Sequence, residues 1–266
     1  MEILKIGKSQ LSYWDEGTGL PVVFIHGVAT LGELWAEDLA DLAADFRIIV
    51  YDRRGYGASS SSPRNWRAHA EDTVALIKEL NAAPAVIIGY SAGAIIALDL
   101  ALNHPNLVAG IVLLDPAFNI ARCLTPQLLK TLATVKLLRW VRGDRPAAEH
   151  WLRYVSSYPT GGSAYETKAS EKRRAKLLAN ATGIFADLAS GQGNVEGQLT
   201  EIRVPVTIVD AMLSPRFLRK SCQRLKKLLP QAGNVTLKNS GHWIGLDAGD
   251  KLINVLRETV SRFQTK

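Results

Sequence analysis

Residues 84–93, Pro-Ala-Val-Ile-Ile-Gly-Tyr-Ser-Ala-Gly, constrain this chain more than any other stretch. An apolar run stops at Gly89-x-Ser91-x-Gly93 and passes at once into Ala-Ile-Ile-Ala-Leu-Asp-Leu-Ala-Leu. The pattern predicts a strand, an abrupt turn and a helix. A serine on such a turn projects its hydroxyl from the end of a sheet, and small residues two before and two after it are needed because the two backbones crowd each other there. Gly89 and Gly93 fill those positions. Five residues with three fixed also arise by chance, and serine caps helices well, so the weight of the pattern depends on what surrounds it.

Leu4 to Ile6 and Gln10 to Trp14, separated by Gly7-Lys8-Ser9, predict an opening hairpin. Pro21-Val-Val-Phe-Ile-His-Gly27 begins with the continuous apolar run of a strand buried on both faces. A helix over 33–44 places Leu34, Trp35, Leu39 and Leu42 on one side, a second buried strand covers Phe46 to Tyr51, and a helix from Trp66 to Leu80 leads to the serine. Asp52-Arg-Arg-Gly-Tyr-Gly-Ala-Ser59 imitates the start of a dinucleotide fingerprint. Ser60 stands where the third glycine belongs, and Ser-Ser-Ser-Ser-Pro63 intervenes where a helix must begin at once to hold a pyrophosphate. No cofactor is expected.

After the serine, a helix runs to Asn103-His104-Pro105, and a strand from Leu107 to Leu114 ends at Asp115-Pro116. Strands and helices alternating in this order imply parallel βαβ units. From Ala117 to Glu201 the alternation stops. Helical patterns there are broken by Gly143-Asp-Arg-Pro146, Pro159-Thr-Gly-Gly162 and Gly191-x-Gly193. The rhythm resumes with a strand at Val204 to Val209, a helix from Pro215 to Leu229, a strand at Asn234 to Lys238 and a last helix from Gly249 to Phe263. The expected fold class is α/β, a mostly parallel central sheet flanked by helices. Its core would comprise residues 1–116 and 202–266, with 117–201 inserted as a helical cap.

The net charge of +7 is not spread evenly: residues 121–176 hold 12 Lys/Arg against 4 Asp/Glu. Leu128, Leu129, Leu132, Val135 and Leu138 recur there at helical spacing, which reads as amphipathic helices with a solvated basic face. Attraction of an anionic substrate or membrane surface is the functional counterpart. No recognition helix or aromatic-basic motif accompanies the charge, so no nucleic acid partner is expected. Cys123 and Cys222 are isolated, and no two of the five histidines have metal-ligand spacing, so neither a disulfide framework nor a metal site is expected. The first residues lack the apolar core of a signal peptide and no run of about 18 apolar residues exists, which predicts a cytoplasmic protein without integral membrane association.

An activated serine needs a base, a group that orients the base, and donors aimed at the developing oxyanion. Candidates stand at strand ends along one edge of the sheet: His26-Gly27, Ser91, Asp115 and His242. With Tyr51-Asp-Arg-Arg-Gly-Tyr-Gly-Ala-Ser59 and Ser240-Gly-His-Trp243, they make the chain resemble the α/β-hydrolase fold family, in particular its cap-bearing, esterase-like members. The resemblance implies Ser91 as nucleophile, His242 as general base, and the backbone N–H groups of Val28 and Ala92 as the oxyanion hole. It also implies that His26 is a structural anchor. His69, His104 and His150 read as surface or packing residues.

The acid departs from the family pattern. Most relatives carry it after the next-to-last strand, where this chain has Val204-Pro-Val-Thr-Ile-Val-Asp-Ala-Met-Leu-Ser-Pro215, with Leu213 and Ser214 at the place of the carboxylate. Asp115 and Asp210 are the replacements, and Asp115 is favoured because some branches of the family hold their acid in the same strand-acid-proline arrangement. The expected function is hydrolysis of a small-molecule acyl substrate, a carboxylic ester or lactone. Thioester, amide or C–C bond cleavage and a non-enzymatic binding role are the alternatives, and the oligomeric state stays open.

Overall fold

Parallel strands buried on both faces need apolar residues at every position, and the runs at 21–25, 85–90 and 108–114 supply them. A computed structural model, which describes residues 1–7, 9–60, 65–191 and 195–264, gathers them into an eight-stranded sheet. The strands are β1 (Glu2–Ile6), β2 (Ser9–Glu16), β3 (Pro21–Ile25), β4 (Arg47–Tyr51), β5 (Ala85–Tyr90), β6 (Val108–Leu114), β7 (Val206–Ala211) and β8 (Gly233–Leu237), in the order β1-β2-β4-β3-β5-β6-β7-β8. β2 pairs antiparallel with β1 and β4, and every other neighbouring pair is parallel. Lys8, the Ser61–Pro63 part of the serine run and Gly193 lie outside the described residues.

The helices are α1 (Gly32–Leu39), α2 (Trp66–Glu79), α3 (Gly93–Asn103), α4 (Pro126–Arg142), α5 (Asp144–Val155), α6 (Ala164–Thr167), α7 (Glu171–Ala179), α8 (Ala181–Ala189), α9 (Arg216–Leu228), α10 (Ile244–Ala248) and α11 (Asp250–Gln264). Alternate strand residues face opposite layers. Val23, Ile25 and Ile87 pack with α2, α3 and the foot of α9, whereas Val22, Phe24 and Ile88 pack with α1 and α11. The helix expected over 33–44 ends at Leu39 and continues as a 3₁₀ turn, because Asp45 and Phe46 both donate to the Leu42 carbonyl and tighten the chain before β4. β7 starts two residues late because Pro205 has no N–H for the ladder, and it runs on through Asp210. None of the described helices is long and apolar enough to cross a membrane.

Between β6 and β7 the chain forms α4 to α8 over the ends of the strands. A third apolar cluster joins them to the sheet-edge loops: Trp151, Leu152, Val155 and Phe185 meet Leu31, Leu34, Tyr56 and Phe217. Ion pairs add to this contact, with Arg173 on Asp38 at 2.5 Å and Lys176 on Glu33 at 2.8 Å. α8 approaches the loop after β4 so closely that a Cβ on Gly183 would stand 2.6 Å from the Gly55 carbonyl oxygen. Val195 and Leu199 return to the layer beneath the sheet. The apolar series on α4 does not all turn inward: Leu128 and Val135 are buried and Leu138 is half-buried, but Leu129 and Leu132 are exposed. α4 packs mainly on α5 along one side, and its apolar stripe is wider than that contact.

Candidate active site

Ser91 follows β5 with φ at +54°, in the left-handed region that costs a non-glycine residue about 1–3 kcal/mol. The surroundings impose this turn. Ser91 N–H donates to Leu114 O at 2.9 Å, and its carbonyl accepts from Ala94 N and Ala117 N at 3.2 and 3.0 Å. A Cβ on Gly89 would lie 2.7 Å from Ala94 Cα, and one on Gly93 would run into the Ile25 carbonyl, so both glycines are required by close packing of strand, helix and neighbouring loop. The strand, turn and helix expected at 84–93 are therefore present.

His242, in the loop between β8 and α10, places Nε2 3.0 Å from Ser91 Oγ. Its Nδ1 lies 2.6 Å from Asp115 Oδ2, beyond the end of β6. The three side chains are nearly inaccessible to solvent. A carboxylate only accepts hydrogen bonds, so Nδ1 carries the proton and Nε2 is left to accept from the serine hydroxyl. Two groups overlooked in the sequence fix this arrangement. Ser214 Oγ donates to Asp115 Oδ2 at 2.6 Å, and Tyr90 both stacks on the His242 ring, 5.0 Å between centroids, and donates its hydroxyl to His242 O at 2.8 Å. The signal for Ser214 was present, since it stands at the aligned place of the family acid. Asp210 is engaged elsewhere: Lys226 Nζ pairs with it at 2.5 Å and Thr236 Oγ1 donates to it at 2.9 Å.

Val28, Ser91 and Ala92 line one cavity of about 200 Å³, closed mainly by apolar side chains such as Ile120, Leu128 and Phe217. Among the described residues, the backbone N–H groups of Val28 and Ala92 donate to no protein acceptor. Trp66, Trp151 and Asp187 add polar groups to the wall, and neither indole N–H has a partner among the described residues. Asp187 Oδ2 accepts from Arg53 Nη2 at 2.5 Å and from Tyr56 OH at 2.8 Å, with no exposed area on the Arg53 or Asp187 side chain. Burial pushes the Asp187 carboxyl up, but the Arg53 guanidinium and His69 outweigh it and hold the group well below the usual carboxylate range.

His26 is the buried anchor expected of it. Its Nε2 accepts from Arg53 N–H at 2.9 Å and its Nδ1 donates to Gly27 O at 2.8 Å, while burial and then Arg53 push its pKa well below the ordinary 6.5. His69 is a core residue too, its Nε2 3.6 Å from Asp187 Oδ1 and its pKa lowered first by burial. The unfolded chain takes up protons at these histidines near pH 6.5 and the folded chain does not. Stability is therefore full above that pH and declines below it, by up to about 1.4 kcal/mol per pH unit for each group. The melting temperature is expected to fall steadily from pH 7 to pH 5, and a flat profile in thermal unfolding would exclude this.

His104 and His150 are half-buried outside the row. Both cysteines are free and buried, and the Cys222 thiol is pushed well up by burial and then by Asp115. Among the described residues no cluster of His, Cys, Asp and Glu is arranged to hold a metal ion.

Residues 21–249 match the family model for the alpha/beta hydrolase fold. A stretch of 107 residues is 43% identical to a protein of Mycobacterium tuberculosis named as a non-heme bromoperoxidase, BpoC, covering 39% of this chain and 41% of that one. The chain thus spans less than half the length of that relative. A pimeloyl-(acyl-carrier protein) methyl ester esterase of Vibrio atlanticus is 26% identical over 246 residues, 88% of this chain and 92% of the relative. Among solved structures, a thermophilic esterase from Thermogutta terrifontis superposes with a TM-score of 0.82 at 23% identity over 99% of both chains, a likeness of fold. With the strand order and the turn at Ser91, the match over 21–249 establishes that the chain belongs to the alpha/beta hydrolase fold family.

Proposed function

We propose that the protein is a serine hydrolase that cleaves a carboxylic ester or lactone through an acyl-enzyme on Ser91. The observation that carries this reading is the continuous row from Ser91 Oγ through His242 to Asp115, at 3.0 and 2.6 Å, with Ser91 in the wall of a cavity. His242 Nε2 removes the Ser91 proton as Oγ attacks the acyl carbon, and the carbonyl oxygen becomes an oxyanion held by the N–H groups of Val28 and Ala92. The imidazolium returns the proton to the leaving alkoxide, and water repeats the sequence to free the acid. Asp115 stabilises the imidazolium throughout. This chemistry needs no cofactor.

Residues 117–201 act as the cap in this reading, since α4, α5 and α8 supply cavity wall opposite the serine. The wall favours a neutral, largely apolar acyl group: its aliphatic lining gains from burying apolar area, and the one carboxylate in it, Asp187, is already neutralised by Arg53. The methyl ester named for the Vibrio relative fits the same bond class.

Stoichiometric labelling of Ser91 by a fluorophosphonate, abolished in Ser91→Ala, together with turnover of a short p-nitrophenyl ester, is the expected result. Absence of both labelling and turnover would leave a non-catalytic binding protein. A panel of esters, lactones, thioesters and amides then ranks the bond types. Ser214 is a positioning residue here: losing its charge-assisted bond to Asp115 is expected to lower kcat about tenfold in Ser214→Ala with KM little changed. A KM effect without a kcat effect would refute that role.

A further inference from the structure

Helix α4 turns apolar residues outward where a helix packed on a core would carry polar ones. Trp140 is 84% exposed, Val141 61%, Leu137 57% and Leu129 52%. At about 100° per residue, these four side chains share a stripe about 120° wide, with Lys130 inside it and Lys136 at its edge. Residues 121–142 contain five Lys/Arg and no Asp or Glu. Arg139 is engaged by Asp144 at 2.6 Å and lies over the Phe185 ring, but Lys130, Lys136 and Arg142 make no ion pair with the described residues.

Single exposed apolar residues are ordinary on soluble proteins. A contiguous stripe with a tryptophan, with one unpaired lysine within it, another at its edge and no acid, has the composition of a helix that lies in a bilayer interface. We propose that α4 docks the protein on an anionic lipid surface, with Leu137, Trp140 and Val141 entering the acyl boundary and Lys130 and Lys136 meeting the headgroup charge. A second copy of the chain fits this face poorly. Two-fold pairing would bring the α4 lysines of both copies together without an acid between them, whereas anionic lipid neutralises them. Leu132, 37% exposed, also lines the cavity beside Ser91, so α4 is a wall common to cavity and docking face. Docking does not depend on the catalytic reading of Ser91.

The test is co-sedimentation of the full chain with extruded vesicles of phosphatidylcholine, with and without about one-third phosphatidylglycerol. Binding is expected on the anionic vesicles, weak on the zwitterionic ones and reversed by high salt. A blue shift of tryptophan emission should accompany it and be lost in Trp140→Ser. Each basic residue at an anionic surface contributes about 1 kcal/mol, so Lys130→Gln with Lys136→Gln should weaken binding about thirtyfold. Melting temperature should not change, because these side chains are on the surface. No binding to anionic vesicles at low salt overturns the proposal, as does binding that survives both variants. A dimer in light scattering that Trp140→Ser dissociates would instead assign the face to a second copy.

Discussion

Asp115→Asn is expected to lower kcat for a short ester about 10⁴-fold, while Asp210→Asn stays within a small factor of the parent. Donors converge on the Asp115 carboxylate: Ser214 Oγ and His242 Nδ1 on Oδ2, each at 2.6 Å, and Ala211 N–H on Oδ1 at 3.3 Å. An amide offers one acceptor oxygen, and its NH₂ faces either the His242 Nδ1–H and Ser214 hydroxyl or the Ala211 N–H, all of which donate to the carboxylate. It therefore either turns the imidazole to the wrong tautomer or leaves a buried donor unpaired, at about 1–3 kcal/mol of stability. Measuring kcat together with the melting temperature separates the two effects. Near-normal turnover in Asp115→Asn would sink the assignment of the acid, and a collapse in Asp210→Asn would move it to the strand residue.

The second large effect concerns folding. Asp187→Ala should cost about 3–5 kcal/mol, because it leaves the Arg53 guanidinium buried without its counter-ion. Arg53 has no exposed side-chain area, and its Nε and Nη1 find no hydrogen-bond partner among the described residues. What compensates its lost hydration is Asp187, the Gly27 carbonyl at 3.0 Å, and the faces of Tyr56 and Trp66, 5.1 and 5.4 Å from the guanidinium carbon. Replacing both charges, as Arg53→Met with Asp187→Leu, should recover most of the loss. The pH dependence has a definite sign. A carboxyl held below its unfolded value contributes stability that is complete above about pH 4 and is lost as pH falls through the folded pKa. The parent should therefore lose more stability than the double variant below pH 4. Urea unfolding that puts Asp187→Ala within 1 kcal/mol of the parent would refute the account.

The order of elements was legible in the sequence because buried parallel strands are written as unbroken apolar runs, and because a glycine-flanked serine between strand and helix has few other uses. Element ends moved where proline or a tightened turn decided them, by two residues at Pro205 and by five at the 3₁₀ turn around Leu42. Ser91, His242 and Asp115 could be named from their places at strand ends. The Tyr90 hydroxyl could not, since an aromatic beside the turn has common packing uses, and Ser214 was visible only as the residue standing where the family acid belongs, not as a donor to Asp115. The Arg53–Asp187 pair spans 134 positions and joins the loop after β4 to helix α8, so only the folded chain brings it into view. The outward face of α4 was hidden for a similar reason: helical spacing of leucines says that a helix is amphipathic, not which side meets the protein.

The close approach of Gly183 to the Gly55 carbonyl has a bearing on how such a chain diversifies. Main chain rests on main chain there, so α8 has a seat above the sheet edge that does not involve Leu188, which it lends to the cavity one turn later. Under the hydrolase reading proposed above, substitutions at neighbouring wall positions such as Leu188 would reshape the space offered to an acyl group while this main-chain seat stays in place. On that reading selectivity and reaction chemistry would rest on separate supports, so that new substrates could be reached through the first without disturbing the second.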